Sequence, residues 1–131
     1  MANSRPESIV YDIITTTHAG LSVFEGPVQD GSGVTDEAVF CLATGGLAPQ
    51  SFFGQDPQQL KSKSVQVRIR SSKNQYNFGR QIAQDVWDTL KNAQPAGWMI
   101  IRMINSDTIY LGQDLEGRHE WSLNLLANIV E

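Results

Sequence analysis

Cysteine is nearly absent: Cys41 is the only thiol among 131 residues. One thiol cannot build an intramolecular disulfide framework or a zinc site of several thiolates, so dependence on an oxidising compartment is not expected. Imidazole is scarce as well, with only His18 and His119. No apolar run reaches the roughly 18 residues of a membrane-spanning helix, and residues 1–7 carry no hydrophobic stretch after a basic start. Neither a membrane span nor a signal peptide is expected, and the chain reads as cytosolic. Charge is sparse too, at 18% of residues, with ten Lys and Arg against fourteen Asp and Glu and a formal net charge of −4. Counterion release from nucleic acid needs a surplus of cations, which argues against general nucleic-acid binding as the main role. Spacings for phosphate loops, dinucleotide sites, zincins, esterase elbows and EF-hands are all missing.

What is present suffices for one core. A chain of this length with 40% hydrophobic residues is expected to form a single domain over residues 1–131, without internal repeats or low-complexity tracts. Residues 1–7 are polar and expected to be flexible, although Pro6 suits the first turn of a helix with Asn3 or Ser4 near its cap. Ile9, Val10, Ile13 and Ile14 make an apolar helical stripe that Gly20 stops. Residues 21–28 suggest a short strand that Gly26 and Pro27 interrupt. Residues 37–43 are nearly all apolar and read as a strand buried on both faces, ended by Thr44-Gly45-Gly46. Residues 47–63 have no period and read as a long loop; exposed Phe52 and Phe53 mark it as a candidate partner-binding arm.

Val65, Val67 and Ile69 alternate with Gln66, Arg68 and Arg70, the pattern of a half-buried strand. After Ser71 and Ser72, either of which could cap, Phe78, Ile82, Val86 and Leu90 recur every four residues and define the long helix, stopped by Pro95 and Gly97. Gly79 inside that helix predicts close packing against a strand. Residues 98–104 and 108–111, divided by Asn105-Ser106-Asp107, read as a hairpin, and alternation from Trp121 to Ile129 gives a final strand. The fold class expected is α+β: a two-layer sandwich, mainly antiparallel sheet packed by one long helix plus a short N-terminal helix.

Convergent chemistry is hard to assemble from these residues. His18 sits where a helix-end cation would, His119 reads as a surface residue, and Cys41 as a small buried hydrophobe. Asp114, Glu116 and Glu120 surround Arg118, which fits a solvated turn with local ion pairs better than a metal site. Trp87, Trp98 and Trp121 each fall on the apolar face of an element, where core packing is the ordinary role. The expectation is no catalytic residue, no cofactor and no metal.

The charge distribution says more. Residues 1–60 hold one basic and seven acidic residues, residues 61–80 six and none, and residues 81–131 three and seven. Lys61, Lys63, Arg68, Arg70, Lys73 and Arg80 thus form a basic block in an acidic chain. It reads as the solvated face of a strand and helix entry, as a subunit contact whose opposite charges fix register in a head-to-tail ring, or as a surface near passing DNA. As a subunit contact, reversing Arg68 and Arg70 to Glu would abolish assembly and leave the fold intact.

Several stretches together resemble one family. They are Thr44-Gly45-Gly46 with Pro49 after it, the strand from Val65-Gln66-Val67 into Arg68-Ile69-Arg70, and the helix over 78–90 with its Ile82-Ala83 and Val86-Trp87-Asp88 groups. The last is Leu111-Gly112-Gln113-Asp114, then Gly117-Arg118, then Glu120-Trp121-Ser122. Over about residues 43–130 the chain resembles the tail terminator and minor capsid, or head-tail joining, proteins of long-tailed bacteriophages. The resemblance implies a non-enzymatic virion protein made in the host cytoplasm. It would form a homohexameric ring that caps the tail tube protein and joins it to a head-side connector or neck protein, with DNA passing non-specifically through the lumen and no membrane partner. It suggests Arg68, Arg70, Asp114, Arg118 and Glu120 as interface positions. The alternatives are another virion module, such as a tail tube or head completion subunit, and a small enzyme without a recognisable motif.

Overall fold

The computed structural model describes residues 5–31, 33–47, 50–51, 59–93 and 100–130. Among these residues two helices, α1 (Pro6–Thr17) and α2 (Tyr76–Lys91), accompany seven strands: β1 (Val23–Glu25), β2 (Ala38–Gly46), β3 (Gln50–Ser51), β4 (Gln59–Lys73), β5 (Ile100–Met103), β6 (Ile109–Gln113) and β7 (Arg118–Val130). The fold is α+β. All the strands join one sheet in the order β1-β2-β4-β7-β5, with β3 also on β4 and β6 also on β7. Every pairing is antiparallel except that of β1 with β2.

Period-2 patterning builds the spine. β4 and β7 pair from Leu60 opposite Val130 to Lys73 opposite Arg118, with one register shift between Arg70 and Lys73. Their alternate residues Val65, Val67, Ile69, Trp121, Leu123, Leu125 and Ala127 are buried on one face, where Val10 and Ile14 of α1 and Ile82, Ala83, Val86 and Leu90 of α2 cover them. That layer is the core, and its removal from water is the main stabilising term.

Gly79 has the close contact its position predicts. A Cβ there would lie 2.6 Å from the Ser71 Cβ and 2.6 Å from Cζ3 of Trp121, so α2 rests directly on β4 and β7. Phe78, expected on the apolar stripe, is 57% exposed instead. Ser71 and Ser72 do not cap α2, because β4 runs on through Lys73 and Asn74, at φ 57°, turns the chain into the helix; Gln75 holds the cap position. The helices have 12 and 16 residues, so the expected contrast between a short and a long helix is not found.

Four other expectations change. β5 and β6 form no hairpin with each other: both pair with β7, β5 opposite residues 125–128 and β6 opposite residues 119–122. A 13-residue β7 is long enough to take both, so residues 104–108 bulge out of one interrupted edge strand, tied back by the Ile104 N–H to the Asn124 carbonyl at 3.0 Å. The segment 47–63, expected to be loop throughout, carries β3 and the first residues of β4. β2 continues through Gly45 and Gly46 rather than stopping at Thr44, and a Cβ on Gly46 would overlap the Ser62 carbonyl. Phe52 and Phe53 lie outside the described residues. Of the N-terminal stretch expected to be flexible, Pro6 and Glu7 form the first turn of α1, and residues 1–4 lie outside the described residues.

Candidate functional site

The parallel pair of β1 and β2 requires a crossover, which residues 26–37 supply. Its described residues, 26–31 and 33–37, pass over the sheet face opposite the helices, where Ala38, Phe40, Arg68, Arg70, Glu120 and Ser122 alternate with the core residues. Two arginines hold it down. The Arg70 side chain is 1% exposed; its Nε donates to the Asp36 carbonyl at 2.7 Å, Nη2 to the Thr35 carbonyl at 2.7 Å, and Nη1 to the Gln29 carbonyl and Asp30 Oδ1, both at 3.2 Å. Its guanidinium lies over the Phe40 ring, 5.2 Å from the centroid. Arg118, 4% exposed, grips Asp30 with both terminal nitrogens at 2.8 and 3.1 Å, reaches Asp36 at 3.2 Å, and donates Nε to Asp114 Oδ2 at 2.7 Å.

The electrostatics follow from that geometry. Hydrogen bonds from Arg118, aided by the charges of Arg118 and Arg70, hold the Asp30 carboxyl below the usual aspartate range despite some desolvation. For Asp114, desolvation pushes upward, but hydrogen bonds from the main chain and side chain of Arg118 and from the Glu116 N–H outweigh it and the net shift is down. Arg118 is held firmly in its charged form, chiefly by Asp30.

The residues expected at an interface therefore separate. Alternation along β4 puts Lys61 and Lys63 on the helix side and Arg68 and Arg70 on the opposite side, so the six basic residues do not make one surface. Arg70 and Arg118 are withdrawn from any contact surface by burial under the crossover, and Asp114 is occupied by Arg118. Arg68 pairs with Glu120 at 3.2 Å, diagonally across β4 and β7. Arg80 pairs with Asp107 at 3.0 Å, and Lys73 is exposed beyond the register shift.

Among the chemical candidates, Cys41 is fully buried and its thiol is pushed up to about 12, first by burial and then by the charges of Glu25 and Glu7, so it is not a nucleophile. His18 Nε2 meets Thr89 Oγ1 at 2.7 Å, joining α1 to α2. His119 is more engaged than a plain surface residue: Nδ1 is 2.8 Å from the Tyr110 hydroxyl, Nε2 is 3.3 Å from Gln113 Nε2, and its ring joins a cluster with Tyr76, Tyr110 and Trp121. Trp121 is core, Trp87 is partly buried, and Trp98 lies outside the described residues. Among the described residues no group of three or more His, Cys, Asp or Glu is placed to hold a metal ion.

Exposed apolar surface is concentrated instead. Nine large hydrophobic residues are exposed among those described, and six of them fall in one interrupted edge and its turn: Ile100, Ile104, Ile109, Tyr110, Leu111 and Leu115. Tyr76, at the start of α2, adjoins this margin through its contact with Tyr110. The sequence alone did not expose it, because an apolar run at an edge strand has the same composition as one inside the sheet. On the sheet face away from the helices, a trough of about 460 Å3 is lined by Leu47, Thr44, Ser64, Arg102, Ile104 and Leu126 among others.

No protein-family model matches the sequence, and no curated protein matches it significantly. Among the described residues no helix is long and apolar enough to cross a membrane.

Proposed function

We propose that the protein is a structural subunit of a long-tailed bacteriophage: a tail terminator forming a hexameric ring that caps the tail tube and joins it to the head-side connector. The subunit would act as a two-layer sandwich, sheet on one side and helices on the other, resident in the virion after assembly in the host cytoplasm. The observation that carries this reading is the apolar margin along β5, β6 and the turn after them. An edge strand presents unpaired main-chain donors and acceptors, and natural proteins blunt such edges with charge or proline or cover them. Here the edge carries isoleucine, tyrosine and leucine, which suits a surface buried by another subunit. The resemblance of residues 43–130 to terminator and head-tail joining proteins supplies the kind of assembly.

Native mass spectrometry of the full chain over a range of concentrations, alone and with tail tubes of the same virus, tests the proposal. A closed hexamer of about 87 kDa, six times 14.5 kDa, or six copies retained per tube end, is the expected result. Open-ended polymers would instead identify a tube subunit. A monomer that ignores tubes would overturn the structural reading and return attention to an enzyme.

A further inference from the structure

We propose that Leu115 is a docking knob that seats in the open-face trough of a second copy of this chain, making the head-to-tail contact of the ring; the inference rests on the assembly proposed above. Leu115 is fully exposed, at 107% of its reference area. An isolated exposed leucine is ordinary, but this one sits on a turn closed by hydrogen bonds on both sides of it. Asp114 Oδ1 accepts from the main-chain N–H of Glu116 at 2.9 Å and of Arg118 at 3.0 Å, while Oδ2 accepts from Arg118 Nε at 2.7 Å. The main chain closes the same turn through the Asp114 N–H to the Arg118 carbonyl at 2.9 Å and the Gly117 N–H to the Asp114 carbonyl at 3.1 Å. Gly117, at φ +81°, supplies the left-handed residue the turn needs. Arg118 in turn is buried and clamped to the crossover. The leucine is thus presented on a turn anchored to the body, so little main-chain ordering remains to oppose its burial.

The trough is a matching receptor. Leu47, Ile104 and Leu126 give it apolar walls, Leu47 and Ile104 being 68% and 53% exposed. Thr44 and Ser64 satisfy each other at its floor, with hydroxyls 2.7 Å apart. Its charged side chain is Arg102, and no acidic residue lines it among those described. The knob brings the complement in Glu116, whose side chain is more than half exposed and lies 3.7 Å from Arg118, while Asp114 on the other side of Leu115 is taken up by Arg118. One copy cannot fill its own trough. β7 leaves the knob's turn at Arg118 and reaches the trough at Leu126, eight residues on, roughly 27 Å at strand rise. Two different, complementary surfaces at opposite ends of one sheet define a heterologous contact, the kind that closes into a ring.

The test uses the full chain in native mass spectrometry and sedimentation across concentration, with circular dichroism to confirm folding. Leu115→Asp, Glu116→Arg and Arg102→Glu are each expected to weaken association by about tenfold or more, and Glu116→Arg combined with Arg102→Glu to recover most of it. If Leu115→Asp folds natively and still closes hexamers at wild-type concentrations, the knob is overturned and the ring stands. If that variant keeps its hexamer but loses tail tubes, the occupant is the tube protein and the second-copy assignment is overturned. A wild-type dimer that Leu115→Asp abolishes would support the knob and trough while overturning the ring. A wild type that never associates, alone or on tubes, overturns both.

Discussion

The Arg70 guanidinium is enclosed by three main-chain carbonyls and one carboxylate, all from a single crossover segment. Removing it strands those carbonyls beneath the segment, so Arg70→Ala is expected to cost about 3 kcal/mol or more, read as a lower urea midpoint with an unchanged slope. The expectation that Arg68 and Arg70 could be reversed without harm to the fold therefore does not hold at Arg70, where a glutamate would face carbonyl oxygens. Nor does it hold at Arg68, which pairs with a mostly buried Glu120 at 3.2 Å, so that a glutamate there would set two carboxylates side by side. Asp30 and Asp114 set the acid limit. Their carboxyls titrate lower in the folded protein than the ordinary aspartate value of 3.8, so the unfolded chain takes up protons first. The stability these groups contribute is present above about pH 3.8 and is lost as pH falls through their folded values. A urea midpoint followed from pH 5 to pH 2 is expected to decline in that window, and Asp30→Asn, which removes one of the titrating groups, is expected to flatten the decline. An equal slope in the variant would show that Asp30 does not set the limit.

At the scale of elements, α2 and the β4–β7 pair were legible because a repeat of about 3.6 and a repeat of 2 leave unmistakable spacings over long stretches. Gly79 was legible as a point of contact because glycine inside a good helix needs a packing reason. Two opposing effects meet there. Gly79→Ala gains helix propensity worth about 1 kcal/mol, but its methyl would sit 2.6 Å from Trp121 and Ser71. Overpacking of a tight core typically costs about 1–3 kcal/mol, and neither neighbour is a free chain end, so the net expected is a loss of about 1 kcal/mol and a lower melting temperature. A raised melting temperature would mean that α2 can lift off the sheet without loss. The hairpin expected over residues 98–111 failed for a reason local sequence does not contain. Asn105-Ser106-Asp107 is sound turn chemistry, but the strands flanking it each find a longer partner in β7. The strand in residues 59–63 was hidden in the same way, since Leu60, Lys61 and Ser62 gain their strand geometry from pairing with β7 and not from any alternation of their own.

For the whole molecule, charge along the sequence predicts that copies meet through opposite charges. A basic block between acidic halves suggested oppositely charged surfaces. Folding breaks it up: the period of β4 divides it between two faces, Arg70 and its neighbour in space Arg118 turn inward, and Arg68 and Arg80 find partners in Glu120 and Asp107. Asp30 and Asp36 lie more than 80 residues from Arg118, so no spacing rule could join them. What remains for assembly is chiefly apolar, with Arg102 and Glu116 as the one charge pair assigned to the contact. Salt then separates the two pictures. Exposed charges more than about 8 Å apart are largely screened at 0.15 M salt, so a ring held by opposing charged faces should come apart as sodium chloride is raised from about 0.05 to 0.5 M. A ring held by Leu115 and the β5–β6 margin should change by less than about threefold over that range, and sulfate, which strengthens apolar burial, should stabilise it. Sedimentation velocity at fixed protein concentration reads both responses. Dissociation by sodium chloride without rescue by sulfate would return the contact to charge and sink the apolar margin as its basis.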